Sequence, residues 1–536
     1  MPRLPALAAF FIRGRWCALA LAATSCTGPD TPGAPTPHWA SDSTSVRVAA
    51  GPQYARGAAW RFFWGTHYRD IWATPVTAPV LRLATVLPGG LTPTRAGGSY
   101  QSHTLRLCTD NGREFVLRSV DKDASVALPA GWKRRVLGRL MKDQTSAAQP
   151  YGAYVAAQLA EAVGVYHTNP QLIFLPNDRR LGKFRGGYAN ALYLLEERPE
   201  GNQLALATFG HSPDVVSTRH MLADIHLQPT AQVEARTYLR ARLLDMWLGD
   251  WSRREDQWRW ASFPQPGRIT YRPVPRDRDQ AFFLFDDGLI TRLVSWFVPK
   301  YHSFHATIRP STVDGLTTTA RALDRTLLGT LNAEDFRQQA ESMRARLTDA
   351  VIANALKAGP AETRAAIATK LGPLLRARRE QLLELAQRYY QILAGEAWAV
   401  GTDQAERFVI SAAGPGALRV SMYARRPAKP DSLISERVYN RKETYQVNVY
   451  GLAGDDIFEL VPPLKSGQIV NIFDGAGHDQ LVNPTQTPSA IEDITWYSSS
   501  DGNASRNNTG LIIKPNPDAQ LTSNSLNWLR RYNLHD

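Results

Sequence analysis

The sequence predicts an α+β protein: two lobes with a helical extension, followed by a small all-β C-terminal domain. Three observations carry this reading. Residues 103–120 alternate apolar and polar about an Asp110-Asn111-Gly112 turn, the pattern of a β-hairpin. Residues 316–395 keep apolar side chains at helical spacing, most clearly in LLRARREQLLELAQRYYQIL. Past Val400 the chain breaks into short β segments, RFVISA, LRVSMYA, YQVNVYG and IVNIFDG, which places a domain boundary near residue 400.

The chain has 536 residues, room for roughly two to four domains. A hydrophobic share of 43% with 21% charged residues argues against wholesale disorder. The formal net charge of +13 favours acidic partners such as phosphates or an anionic membrane surface. Lys and Arg are spread along the chain and no zinc-finger or other nucleic-acid motif is present, so no nucleic-acid partner is expected.

Residues 1–26 read as a lipoprotein signal peptide. Arg13 and Arg15 precede the apolar run WCALALAATS, and small residues stand before Cys26 as in a lipobox, with Ala23 where Leu is usual. Cleavage there would leave Cys26 as a lipidated first residue, so the expectation is a lipid-anchored envelope protein, at the outer membrane. The run is too short to span a bilayer. Cys108 is then the one cysteine of the body, which rules out an intrachain disulfide or a Cys-rich metal site.

Residues 27–54, rich in Pro, Ser and Thr at their start, read as a flexible tether. Residues 55–200 form a β/α lobe. It opens with the aromatic WRFFWGTHYRDIW, read as core and docking residues. The hairpin, a helix from Pro150 to Val163, and the strands QLIFLP and ANALYLLEERP follow. Residues 201–400 are a helical lobe, in which a helix through Tyr238–Leu248 delivers the loop GDWSRREDQW. Residues 401–536 are β-rich. No apolar stretch of the body could cross a membrane as a helix, and the repeated alternating strands of an outer-membrane barrel are missing.

The chemistry concentrates in Gly249–Phe282. An Arg-rich acidic loop ends in Asp256-Gln257, and about twenty residues later comes Asp277-x-Asp279 in PRDRDQAF. Phosphoryl transfer needs phosphates positioned, a divalent cation held and a hydroxyl oriented, and kinases place base, amide and metal carboxylate in this chain order. Asp277 and Asp279, two apart, are expected on one side of a strand, as ligands for Mg²⁺ or Mn²⁺. A structural ion-pair network among Arg253, Arg254, Arg276, Arg278 and these acids is the competing reading.

This arrangement resembles the atypical kinase-like fold of the CotH kinases and, more distantly, HipA-like kinases. A closer resemblance is to the middle segment of large Bacteroidetes-type outer-membrane proteins, between a phosphoesterase domain and a BamA/TamA-like barrel. GGSYQSHTLRL, FVLRSVDKD, LLEERPEGN, ARLLDMWLGDW, PRDRDQAF and the run from LTDAVI to GTDQAERF carry it, over about residues 55–500. The resemblance implies ATP with Mg²⁺ or Mn²⁺ as cofactors. Gly97, Gly98 and Ser99 would form a phosphate-covering turn, and either Arg118 or Lys122 would pair with the phosphates. Glu161 would hold that cation, and Tyr193 to Pro199, including Glu197, would link the lobes against the base. Gln257 would supply the metal-binding amide beside Asp277 and Asp279.

One letter departs from the pattern. Ser252 stands five residues before Gln257, where kinases carry the base Asp, and a hydroxyl cannot accept the substrate proton as a carboxylate can. Asp250 and Asp256 are the neighbouring candidates. Three readings therefore stand: an envelope kinase-like enzyme, a pseudokinase or scaffold working with envelope or outer-membrane proteins, and a calcium-dependent adhesion module. The last would use GLAGDDIF and DGAGHDQL, with Asp456 and Asp479 in corresponding positions. These two copies, 23 residues apart, read as tight β-turns rather than Ca²⁺ sites.

Overall fold

The computed structural model describes residues 42–97, 103–122, 131–298, 303–426, 428–499, 503–505, 507–532 and 534. Cys26, Gly98 and Ser99 lie outside the described residues. The chain is α+β. Strand β1 (Ser45–Ala49) pairs antiparallel with β2 (Pro75–Pro79), so the end of the expected tether already belongs to a sheet. The alternation Ser45-Val46-Arg47 explains it, because Val46 is buried while its neighbours are not. A short helix, α1 (Ala58–Trp64), lies between the two strands.

Five strands make the first lobe: β3 (Thr92–Gly97), β4 (Thr104–Cys108), β5 (Glu114–Ser119), β6 (Gln171–Leu175) and β7 (Ala191–Glu197). They are ordered β3-β4-β5-β7-β6, with every neighbouring pair antiparallel. The turn between β4 and β5 places Gly112 at φ +83, a conformation that costs glycine nothing. Period-2 alternation divides β7. Leu192, Leu194 and Glu196 share one face, and Tyr193, Leu195 and Glu197 the other. Tyr193 to Glu197 are thus strand interior rather than an inter-lobe linker.

Helix α2 (Gly152–Val163) packs on the first of these faces through Val155, Ala156, Leu159, Ala160 and Val163, and ends at Gly164 in the left-handed region. Helix α3 (Ala235–Leu248) is buried along almost its whole length, as expected of a helix at the centre of a lobe. Beside it, β8 (Asp214–Ser217), β9 (Ala231–Val233), β10 (Trp258–Gln265) and β11 (Arg268–Pro275) form a sheet ordered β8-β10-β11-β9. Helix α4 (Leu289–Phe297) follows, and then the helical extension through α5 (Ala333–Arg346), α6 (Arg364–Glu380) and α7 (Leu382–Ala394). Among the described residues no helix is long and apolar enough to cross a membrane.

The C-terminal region is a two-sheet parallel solenoid. Strands β12 (Glu396–Val400), β16 (Gln446–Tyr450), β18 (Ile469–Phe473), β20 (Ile494–Ser498) and β22 (Ile512–Pro515) stack parallel in one sheet. In the other, β13 (Glu406–Gly414), β17 (Ile457–Val461), β19 (Gln480–Val482) and β21 (Ala504–Ser505) stack likewise, and β14 (Ala417–Ala424) and β15 (Ser432–Asn440) extend the sheet antiparallel. Asn448 pairs with Asn471 and Asn471 with Thr495, so one coil takes 23 or 24 residues. Tyr450, Phe473 and Tyr497 stack with centroids 4.7 Å apart, the spacing of adjacent strands. The solenoid and the helical lobe share one core, in which Trp528 meets Trp398 and Tyr450 of the solenoid and His226 of the second lobe.

Candidate functional site

The site forms where two loops of the second lobe face the third strand of the first lobe's sheet. Helix α3 stops at Gly249, whose φ of +69 is the left-handed cap that lets the chain turn out. Arg378 of α6 donates to the carbonyls of Trp247 (2.7 Å) and Met246 (2.8 Å), placing a cation on the negative end of α3. The loop 250–254 then runs into a single 3₁₀ turn at Glu255–Gln257 and the β10–β11 hairpin. After Pro275 the returning chain is tied down at both ends: Arg276 N donates to Gln257 O (2.9 Å) and Phe282 N to Leu248 O (2.8 Å).

Arg253 fastens the two loops together. It donates through Nε (3.1 Å) and Nη2 (2.5 Å) to Asp250 Oδ2, through Nη1 to the carbonyl of Arg276 (2.7 Å), and through Nη2 to that of Asp277 (2.9 Å). Asp250 is wholly buried, and its other oxygen accepts from Ser252 N at 3.1 Å. It is a brace for the loop. Asp256 is held by Arg254 at 2.9 and 3.1 Å. Asp250 and Asp256 are therefore both engaged by arginine, and the position five before Gln257 offers only the half-buried hydroxyl of Ser252.

Asp277 and Asp279 stand beyond the end of β11, in a loop and not on a strand as expected. Pro275 ends the ladder, and Asp277 takes φ +58, a left-handed conformation that Asp tolerates better than most residues. Both carboxylates nevertheless face the same cleft. Asp277 Oδ2 lies 3.3 Å from Arg118 Nη1, and Asp279 pairs with Lys122. Sequence reasoning left Arg118 and Lys122 as alternatives, and the structure brings both to the carboxylates. Burial pushes the Asp277 carboxyl up, but Arg118, Lys122, Arg253 and Arg276 outweigh it and hold the group down at about 2. Burial lowers the Lys122 ammonium, and Asp277 only partly offsets that.

The carboxylate that holds the third-strand cation is Glu196, whose Oε2 is 3.4 Å from Arg118 Nε. Glu161, expected in that role, is exposed on α2, because the buried stripe Val155–Leu159–Val163 turns it outward. Glu197 points to the opposite face of β7 and pairs with Arg113 at 2.8 Å. Glu196 was within reach of sequence reasoning, since alternation from Leu192 and Leu194 puts Glu196 on their face. Gly97 closes β3 opposite Thr104, and a Cβ there would meet Thr104 Oγ1 at 3.0 Å.

The cavity between these groups is lined by Trp72, Arg118, Lys122, Glu196, Asp277 and Asp279 and has a volume of about 30 Å³, room for water and far too little for a nucleotide. A larger ligand enters only if the ion pairs part. Beside it, burial and the neighbouring Arg259, Arg118 and Arg198 push the Arg276 guanidinium well below its usual range. Arg276 Nε and both Nη atoms of Arg278 are buried without a hydrogen-bond partner among the described residues. Crowded cations with unmatched donors suit a polyanion.

Among the described residues no group of three or more His, Cys, Asp or Glu side chains is gathered to hold a metal ion. Asp277 and Asp279 are the loop carboxylates that line the cleft, while the Gln257 side chain is not among its lining; two carboxylates fit Mg²⁺, which keeps waters and takes phosphate oxygens to complete its octahedron. Asp456 and Asp479 form no such set. Asp456 accepts from Glu406 N (2.8 Å) and Asp479 from Asp456 N (3.0 Å), which makes them rungs of the solenoid turns.

No family model and no curated protein matches this chain. Among solved structures, the Helicobacter pylori proinflammatory kinase CtkA is similar at 9% identity over 56% of this chain and 95% of that one, with a TM-score of 0.27. The Shewanella oneidensis toxin–antitoxin complex of HipA and HipB with operator DNA is similar at 12% identity over 58% and 76%, with a TM-score of 0.25. Scores this low carry no argument, and the functional reading rests on the geometry of the cleft.

Proposed function

We propose that the cleft is a kinase-type site for ATP and a divalent cation, in a protein that binds nucleotide without transferring its phosphate. The observation that carries this is the pairing of cations on and just after the third strand with loop carboxylates, Arg118 with Asp277 and Lys122 with Asp279. Phosphoryl-transfer sites bring these two groups together across the cleft, one for phosphate and one for metal. Lys122 and Arg118 would pair with the phosphate oxygens of a bound nucleotide, and Asp277 and Asp279 would then hold the cation. ATP with Mg²⁺ or Mn²⁺ supplies the phosphate charge and the transferable group. Arg276 and Arg278 add positive potential behind it.

The site lacks a group poised for proton abstraction among the described residues. Asp250 braces Arg253 and Asp256 is held by Arg254, so neither carboxylate is free to serve beside Ser252. This favours a nucleotide-responsive scaffold over a kinase. With the lipobox-like Cys26, the reading is a lipid-anchored envelope protein that engages outer-membrane or other envelope proteins. Thermal unfolding tests it: ATP with Mg²⁺ or Mn²⁺ raises the Tm of the wild-type chain and not that of Asp279→Ala, with no phosphotransfer detected. Absence of any shift in the wild type contradicts the nucleotide site, and phosphotransfer by the wild type contradicts the scaffold.

A further inference from the structure

Residues 51–72 bond to both walls of the cleft. On the first-lobe side, Gln53 Nε2 (3.0 Å) and Tyr54 OH (2.5 Å) donate to Asp121, the residue next to Lys122 and just beyond β5. On the second-lobe side, Tyr68 OH donates to the carbonyl of Phe282 (2.5 Å) and His67 N to Asp287 (2.7 Å), on the chain that leads away from Asp277 and Asp279. Between these ends, Asp143 accepts from Arg56 and Trp60 at 3.0 Å and from Arg69 at 2.7 and 2.9 Å. Trp72 Nε1 donates to the carbonyl of Ala148 (2.9 Å), and both residues line the cavity. The buried ring of Tyr54 meets Trp72 edge-on, with centroids 5.1 Å apart, and so stands between a cavity wall and Asp121. A segment that only completed one lobe's core would have no need to bond the other.

We propose that residues 51–72 are a latch that holds the cleft shut, and that release of Gln53 and Tyr54 from Asp121 is the step that admits a nucleotide. As regulation of the nucleotide site, this rests on the function proposed above. A cavity of about 30 Å³ excludes a nucleotide, so Lys122 has to draw away from Asp279 before one enters. Asp121 is fixed to a segment that is itself fixed to Phe282 and Asp287, which keeps the backbone of Lys122 at a set distance from the loop of Asp279. The two walls part only when one of these sets of bonds breaks. The segment offers Asp121 neutral donors, whereas it offers Asp143 two arginines, one of them bidentate. Charge-assisted bonds with a charged donor and acceptor are the stronger, so opening breaks the contacts at Asp121 first.

The rate at which Lys122 is acetylated by an amine-reactive reagent, read by mass spectrometry on the full chain without nucleotide, tests the latch. The Lys122 side chain is only 13% exposed, so the shut cleft shields it. In Gln53→Ala/Tyr54→Phe the rate is expected to rise about tenfold, the order of one hydrogen bond to a charged group. Thr74→Ala, which removes an exposed hydrogen bond just beyond the segment, is expected to keep the wild-type rate. Tyr54→Phe alone carries the same comparison if the double variant does not fold. An unchanged rate in the latch variants, or an equal rise in Thr74→Ala, overturns the proposal. Repeating the measurement with ATP and Mg²⁺ separates the latch from the nucleotide reading. ATP is expected to slow acetylation of the latch variant at lower concentration than it does the wild type, and a higher concentration requirement overturns the latch. Fast acetylation of the variant that ATP leaves unchanged supports the latch and contradicts the nucleotide site alone.

Discussion

Arg253 shows how much of the cleft hangs on single residues. One guanidinium reaches Asp250, the carbonyl of Arg276 and the carbonyl of Asp277, so it sets the distance between the loop of Gln257 and the loop of Asp279. Arg253→Ala leaves Asp250 as an unpaired charge in a fully buried position. The expected cost is about 3–5 kcal/mol of stability, the range for breaking a buried pair, read from denaturant midpoints, with nucleotide response lost as well. Ser252→Asp tests the vacant base from the other side. If the remaining machinery is intact, phosphotransfer to an added hydroxyl substrate becomes measurable in that variant and stays undetectable in the wild type. Failure of both proteins to transfer, with nucleotide still bound, means the site departs from kinase geometry beyond this one residue.

Among the elements, the solenoid carries a titration of its own. Burial pushes the carboxyls of Glu406 and Asp479 up to about 7, and Asp456 well above its usual range. Thr402 opposes the rise at Glu406, and the Asp456 amide and Asn503 oppose it at Asp479. Protonated in the fold and ionised in the unfolded chain, such groups stabilise fully below pH about 4. That contribution is lost as pH rises to about 7 and stays lost above it. Asn503 already occupies the third rung, accepting from Asp479 N at 3.0 Å, so an amide fits the position. Asp479→Asn is expected to raise the stability of the solenoid at pH 8 relative to wild type and to flatten its decline between pH 4 and 7. Urea unfolding of the full chain, followed at several pH values, reads both effects.

The elements also show what could be read from the chain in advance. The β4–β5 hairpin and α2 were legible because alternation, an Asn-Gly turn and a Pro-started apolar stripe are local signals. The solenoid was not. Its period shows in sequence only at GLAGDDIF and DGAGHDQL, and the third rung has Asn503 in place of Asp. Parallel pairing across 23 or 24 residues leaves no hairpin turn to find. In the site, the pairing of Asp277 and Asp279 was legible by spacing, but their backbone was not, because a left-handed Asp277 has no sequence signature. Glu161 failed as the cation's partner for a plain reason: choosing the nearest acidic residue on the helix ignored which side of α2 is buried.

At the scale of the whole molecule, two lobes close on a cavity of about 30 Å³ with carboxylates and cations neutralising one another across it. The same pairs that shut the cleft are those a metal–nucleotide complex would take over, which under the proposed function would link occupancy to opening. The solenoid joins the helical lobe through the shared core around Trp528 and His226. The most direct measurement is titration of the full chain with Mn²⁺, followed by electron paramagnetic resonance, with and without ATP. The account predicts that Mn²⁺ becomes protein-bound at about one per chain only when ATP is present, and that Asp279→Ala abolishes this while Glu161→Ala does not. Mn²⁺ bound equally with and without ATP, or unaffected by Asp279→Ala, would contradict it.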